Sequence, residues 1–255
     1  MTQATLWGSL FIIFSMPLAI FWFVVRRSPK LVIVLVASAF MWLLAALLTG
    51  IIWIIIPPLQ DDYWFVILIS VPIQEAFRYF FWKMLHKAEK GLSTLTPDGD
   101  VVITREKLWF VSGLGFGVMS AVMMMSNMLD IMTGPGMVPA RGCPDFNLFT
   151  ISALVSAAIV MCHAFWGVIA GKAWEQRTIS KSMFIPSRDW KLFFVLAMHY
   201  FVAFLTIDAD KTTCVGFLLP IYGATLLCAC TAWFVIRARF SSGDDAAQHR
   251  AQHAR

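Results

Sequence analysis

Apolar residues run along this chain in seven long blocks separated by polar stretches. The blocks cover about 4–25, 31–56, 64–85, 108–129, 147–170, 190–207 and 213–236. Each is long enough, as a helix, to cross about 30 Å of hydrocarbon. The pattern predicts an all-α polytopic membrane protein with seven transmembrane helices in residues 1–240. The remaining residues, 241–255, are polar and rich in Ala, Gln and His, and are expected to form a disordered cytosolic tail. The first block lacks a preceding cationic region and is too long for a signal-peptide core, so it reads as a retained helix.

Composition supports this class. The chain is 59% hydrophobic and 14% charged, against about 25% charged in a soluble domain. The net charge of +5 is no signature of nucleic-acid binding, because its distribution accounts for it. Arg26, Arg27 and Lys30 fall in the first loop, and Lys87, Lys90, Arg105 and Lys107 in the third. Lys172, Arg177, Lys181, Arg188 and Lys191 fall in the fifth, and Arg237, Arg239, Arg250 and Arg255 in the tail. The opposite loops carry only Arg141 and Lys211. Basic residues collect on the cytosolic side of membrane proteins. The N-terminus is therefore expected outside or in a lumen, and the C-terminus in the cytosol.

Loops and cysteines add detail. The start of the third loop, His86-Lys-Ala-Glu-Lys, reads as an extension of the third helix beyond the membrane. The fourth loop holds Gly134, Pro135, Gly136, Pro139 and Pro144, which exclude a helix and favour a compact luminal loop. Cys162, Cys228 and Cys230 lie inside spans as packing residues. Cys143 and Cys214 fall on the luminal side, where a disulfide is chemically allowed but is not fixed by sequence. Asn127 and Asn147 begin no N-glycosylation sequon.

Ionisable groups at membrane depth are expensive and invite functional hypotheses. Gln74, Glu75 and Arg78 follow Pro72 in the third span. Proline removes a backbone donor and predicts a kink near Leu68. Glu75 and Arg78 are spaced to pair on one helix face. Either they form an internal pair, with Arg78 reaching to the cytosolic surface, or Gln74 and Glu75 face a polar cavity or a partner helix. His163 and His199 each lie nine residues from a cytosolic boundary, about 13–14 Å deep at 1.5 Å per residue. Each is a core histidine with a local acceptor, or the two share one polar site. Within the spans neither an H-x-x-x-H pattern nor a Cys/His cluster supplies further ligands, so no metal and no cofactor is expected. Asn127 and Asp130 read as caps at the luminal end of the fourth span.

In that span Gly113, Gly117 and Ala121 recur every fourth residue, making a stripe almost without side chains. Small residues at this spacing let membrane helices approach closely. The stripe fits packing within the chain or against another protein.

Several segments in order resemble the anterior-pharynx-defective (Aph) subunit family of gamma-secretase. Ala39-Phe-Met-Trp-Leu resembles its aromatic A-F-F-W-L. Gln74-Glu-Ala-Phe-Arg and Lys87-Ala-Glu-Lys-Gly-Leu resemble its Q-E-x-F-R and K-K-A-x-x-G-L runs. Val111-Ser-Gly-Leu-Gly-Phe-Gly resembles its V-S-G-L-x-F-G, and Gly134-Pro-Gly the turn that follows. His163-Ala-Phe-Trp-Gly resembles H-x-F-W-G, Leu218-Leu-Pro-Ile-Tyr resembles L-L-P-I-Y, and His199 falls at the family's second intramembrane histidine. Ala121 replaces the family's third glycine, and the fourth loop departs from the pattern around Arg141-Gly-Cys-Pro-Asp.

The resemblance implies a seven-span, non-catalytic scaffold. Such a subunit joins presenilin to nicastrin and the presenilin-enhancer subunit, in contact with membrane lipids. It supports cleavage of single-span proteins such as Notch and the amyloid precursor. It also implies residence in the endoplasmic reticulum, Golgi and plasma membrane. Gly113, Gly117 and Ala121 would serve assembly; His163 and His199, with Gln74, Glu75 and Arg78 beside them, would serve presenilin contact. Two other classes compete. A seven-helix receptor shares the topology, but the third span lacks an acidic-Arg-aromatic switch and the seventh lacks N-P-x-x-Y. A membrane hydrolase using Glu75, His163 and His199 as acid and base lacks a nucleophile motif.

Overall fold

The computed structural model of the protein describes residues 3–57, 60, 63–95, 104–133, 139–140, 143–180, 186–207 and 213–253. Its elements are α1 (Gln3–Ile20, continued by a π-helical turn, Phe21–Val25), α2 (Pro29–Ile55), α3 (Tyr63–Leu95), α4 (Arg105–Thr133), β1 (Pro139–Ala140), β2 (Cys143–Asn147), α5 (Leu148–Ser180), α6 (Pro186–Ile207) and α7 (Cys214–His253). Seven helices are long and apolar enough to cross a membrane, at nearly the expected positions.

Local chemistry sets several boundaries. Ser28 is extended and Pro29 opens α2, where its fixed φ suits the first helical position and its missing N–H is no loss. Asn147 caps α5: its Oδ1 accepts from the Thr150 backbone N–H at 2.7 Å and from the Thr150 hydroxyl at 2.8 Å. The helix α3 continues to Leu95, as the His86-Lys-Ala-Glu-Lys run predicts. The described backbone of α7 runs through the tail to His253. Its Ala, Gln and Arg residues are good helix formers. The Gly134-Pro135-Gly136 turn and residues 96–103 lie outside the described residues, as do the side chains of Asn127 and Asp130 with the cap assigned to them.

Helices α4 and α5 form the centre. In their spans 61% and 56% of residues are buried, against 17–22% in the other five. The helices α1, α2 and α7 pack around this pair, α3 lies on α2, and α6 touches both α3 and α5. Outward residues are large and apolar, among them Phe11, Ile33, Leu219 and Phe234. That inversion suits lipid, where an exposed apolar side chain carries no hydrophobic penalty.

Among the described residues of the fourth loop, 139–140 and 143–147, none is helical. Its described part is a two-stranded antiparallel ribbon, β1 with β2. Cys143 in β2 is bonded to Cys214 at the start of α7, with Cα atoms 5.1 Å apart. The disulfide left open by the sequence thus ties the ribbon to the last helix, while Cys162, Cys228 and Cys230 are free. Denatured without reductant, the chain should accept three maleimide adducts, rising to five after reduction. Five adducts without reductant would contradict the bridge.

Candidate functional site

The polar residues singled out in α3, α5 and α6 converge. Glu75 and Arg78 pair along α3, with Nε donating to Oε2 at 3.1 Å. Arg78 is 2% exposed, so the expected reach to the cytosolic surface does not occur. The guanidinium instead crosses to α5. It donates to the His163 carbonyl at 3.3 Å and meets His163 Nδ1 at 2.8 Å. Arginine only donates, so Nδ1 accepts and the His163 proton sits on Nε2. The guanidinium also lies 4.8 Å over the Phe116 ring of α4, which adds a cation–π contact.

The other carboxylate oxygen of Glu75 is 2.8 Å from His199 Nδ1 on α6. The His163 and His199 rings meet edge to face, with centroids 5.2 Å apart. Their matched depth in adjacent helices is therefore a contact. Trp166 stacks on His199 with centroids 4.6 Å apart, and its Nε1 donates to Cys228 Sγ of α7 at 3.2 Å. Gln74 accepts from Trp42 Nε1 of α2 at 3.0 Å. One bonded cluster thus touches six helices, α2 to α7. Within it the carboxylate and guanidinium offset each other, and both Glu75 oxygens and all three Arg78 nitrogens have a partner, which makes a buried ion pair tolerable.

Proline chemistry supplies one further tie. Pro72 has no N–H, which leaves the Leu68 carbonyl without its usual helical donor. The Tyr200 hydroxyl of α6 donates to that carbonyl at 2.9 Å. The proline thus creates an acceptor that binds α3 to α6, alongside Glu75–His199.

The stripe on α4 is filled by this chain's own α5. A Cβ on Gly113 would strike the His163 carbonyl oxygen and come within 2.8 Å of Ala164 Cα. One on Gly117 would lie 2.7 Å from Val160 Cα. Ala121 is fully buried and packs with Phe149 and Ala153. Gly115, on another face, abuts Ser38 and the Leu35 carbonyl of α2. Of the two uses the spacing allowed, packing within the chain is the one these contacts make.

The glycine contact sets the position of the polar cluster. The His163 carbonyl lies against Gly113 on one side and accepts from Arg78 on another. Close approach of α4 and α5 and charge pairing across α3 therefore share one residue.

Sequence reading missed the other half of this seam. Gly167 and Gly171 are also four apart, and a Cβ on Gly167 would lie 2.9 Å from Gly113 Cα. A Cβ on Gly171 would strike the Trp109 ring. Their spacing carried the same signal as the α4 stripe. Trp42, Tyr200 and Phe116 carried no such signal, because their partners are on other helices.

The relatives of this chain fall in one group. A family described as Aph-1 protein matches residues 4–239. The chain belongs to the Aph-1 family. It is 36% identical over 231 residues to the gamma-secretase subunit Aph-1b of Danio rerio, covering 87% of this chain and 84% of the relative. It is 32% identical over 235 residues to the gamma-secretase subunit Aph-1 of Drosophila melanogaster, covering 92% and 94%. A plant relative, the gamma-secretase subunit APH1-like protein of Arabidopsis thaliana, is 27% identical over 198 residues, covering 73% and 78%. The Aph-1 match spans all seven apolar helices, so the polar cluster and the glycine seam both lie inside it.

Proposed function

We propose that this Aph-1 family member is a non-catalytic subunit of gamma-secretase. In this reading it holds presenilin with nicastrin and the presenilin-enhancer subunit, and so supports cleavage of single-span proteins such as Notch and the amyloid precursor. The observation that carries the reading is where the charged chemistry goes. Glu75, Arg78, His163 and His199 bond to one another across three helices. A catalytic group would be aimed at a site for a reactant. Here the bonds are directed at neighbouring helices, which is the work of a framework.

The same geometry bears on the hydrolase alternative. Nδ1 of His163 faces Arg78 and Nδ1 of His199 faces Glu75, so these nitrogens do not converge on one reacting centre. The receptor alternative has no support among the relatives, whose names are those of gamma-secretase subunits.

The proposed orientation places the ribbon and the start of α1 on the luminal or extracellular side. The loop charges support it, and so does the Cys143–Cys214 bond, since disulfides persist in oxidising compartments. The proposed locations are the endoplasmic reticulum, Golgi and plasma membrane.

Affinity purification of the tagged full chain in mild detergent tests the assembly. Presenilin, nicastrin and the presenilin-enhancer subunit should co-elute. Recovery of the folded chain without them would overturn the reading, as would intramembrane proteolysis by the purified chain alone.

A further inference from the structure

One buried polar atom stands apart from the central cluster. Nε2 of His86, near the basic end of α3, is enclosed and without a hydrogen-bond partner. The His86 ring stacks on Trp82, with centroids 5.4 Å apart and 6° between the planes. It lines a small cavity with Trp82, Leu85, Arg105, Leu108, Trp109 and Glu175. The cavity lies where α3, the start of α4 and the last turns of α5 meet. A buried imidazole nitrogen without a partner is costly, so this atom calls for a ligand.

The wall chemistry narrows what that ligand is. Glu175 is an anion, but Arg105 and Lys172 both pair with it, the latter at 3.3 Å. Arg105 in the lining and Lys172 outside it thus offset the carboxylate, and the three groups together carry one net positive charge. Lys83, one turn before His86 on α3, and Lys107, beside Leu108 on α4, are exposed and add positive charge nearby. Trp82 and Trp109 line the cavity and the Trp174 ring lies 5.7 Å from that of Trp82, and indole rings are enriched at the headgroup boundary of a bilayer. The cavity is partly open and its volume is about 10 Å³, room for roughly one water-sized oxygen. The Arg105 side chain at the mouth is 44% exposed.

We propose that this cavity is a binding site for the phosphate of an anionic lipid. One phosphate oxygen enters and accepts from His86 Nε2–H, while the rest of the group stays at the mouth beside Arg105. The lipid tails lie along the apolar outer faces of the helices. Basic pockets between transmembrane helices commonly take anionic headgroups in this way. The inference is independent of the gamma-secretase reading, because it needs only the folded chain in a bilayer.

The test uses the full chain in nanodiscs of phosphatidylcholine, with phosphatidic acid added at increasing fraction. Thermal unfolding and native mass spectrometry are read together. The variant is His86→Phe, which keeps a flat ring on Trp82 and removes the donor. The wild type should retain phosphatidic acid through purification and unfold at higher temperature as its fraction rises. The variant should fold, but bind that lipid about tenfold more weakly, the loss expected for one hydrogen bond to a charged group. In a second arm, free inorganic phosphate is added at millimolar concentration to phosphatidylcholine nanodiscs. If it stabilises as much as the lipid does, the proposal of a lipid site is overturned. Equal retention of phosphatidic acid and phosphatidylcholine would also overturn it. So would retention unchanged in His86→Phe, which would make the cavity a water site and place the lipid elsewhere.

Discussion

Arg78→Met should destabilise the folded bundle more than most single changes in it, by about 3–5 kcal/mol, the usual range when one member of a buried ion pair is removed. The guanidinium has three partners to lose: the Glu75 carboxylate, the His163 carbonyl and His163 Nδ1. Methionine fills much of the space but donates nothing. Glu75 would then keep only the His199 contact, with its charge uncompensated at membrane depth. Adding Glu75→Gln should recover part of the loss. A neutral amide oxygen still accepts from His199 and removes the stranded charge, so the double variant should unfold at a higher temperature than Arg78→Met alone. A double-variant cycle in nanodiscs measures this coupling. Strict additivity would mean that the two residues do not depend on each other.

Gly113→Leu should be comparably damaging, for a steric reason. The first added carbon already meets backbone, at the His163 carbonyl oxygen and at 2.8 Å from Ala164 Cα. Backbone cannot swing aside as a flexible side chain can. The α4–α5 pair must open, and overpacking of this kind costs about 1–3 kcal/mol or more. Opening also shifts the carbonyl that Arg78 uses, so the polar cluster should loosen with it. Gly8→Leu is the control, since nothing lies within 4 Å of a Cβ at that position.

Much of this architecture was legible beforehand, for identifiable reasons. Span positions follow from hydrocarbon thickness, a property of the solvent that every segment meets separately. The matched depth of His163 and His199 follows from counting 1.5 Å per residue away from two boundaries on the same side. Pairing of Glu75 with Arg78 is a local helical relation. The direction of Arg78 was misjudged in one of the two readings, because it depends on how α3 is rotated against α5. No residue near Arg78 records that rotation.

The glycine stripe shows the same division. Spacing along α4 announced a close approach, but not which helix would make it. The answer lies in Gly167 and Gly171 of α5, fifty residues on, whose spacing matches. A search of every span for small residues four apart would have paired the two stripes. The hydrogen bonds from Trp42 to Gln74 and from Tyr200 to Leu68 join residues 32 and 132 positions apart. Only tertiary packing brings those together. The Cys143–Cys214 bond was chemically allowed but undetermined for the same reason.

The central claim is that the seam along Gly113 and Gly117 is internal to this chain, and that any effect on assembly follows from it. The direct measurement is thermal unfolding of the chain purified without partners in nanodiscs, comparing wild type with Gly113→Leu. A marked drop in unfolding temperature in that partner-free sample is the expected result. Unchanged stability in isolation, combined with loss of presenilin and nicastrin on co-purification, would make the stripe a seam between proteins and contradict the claim.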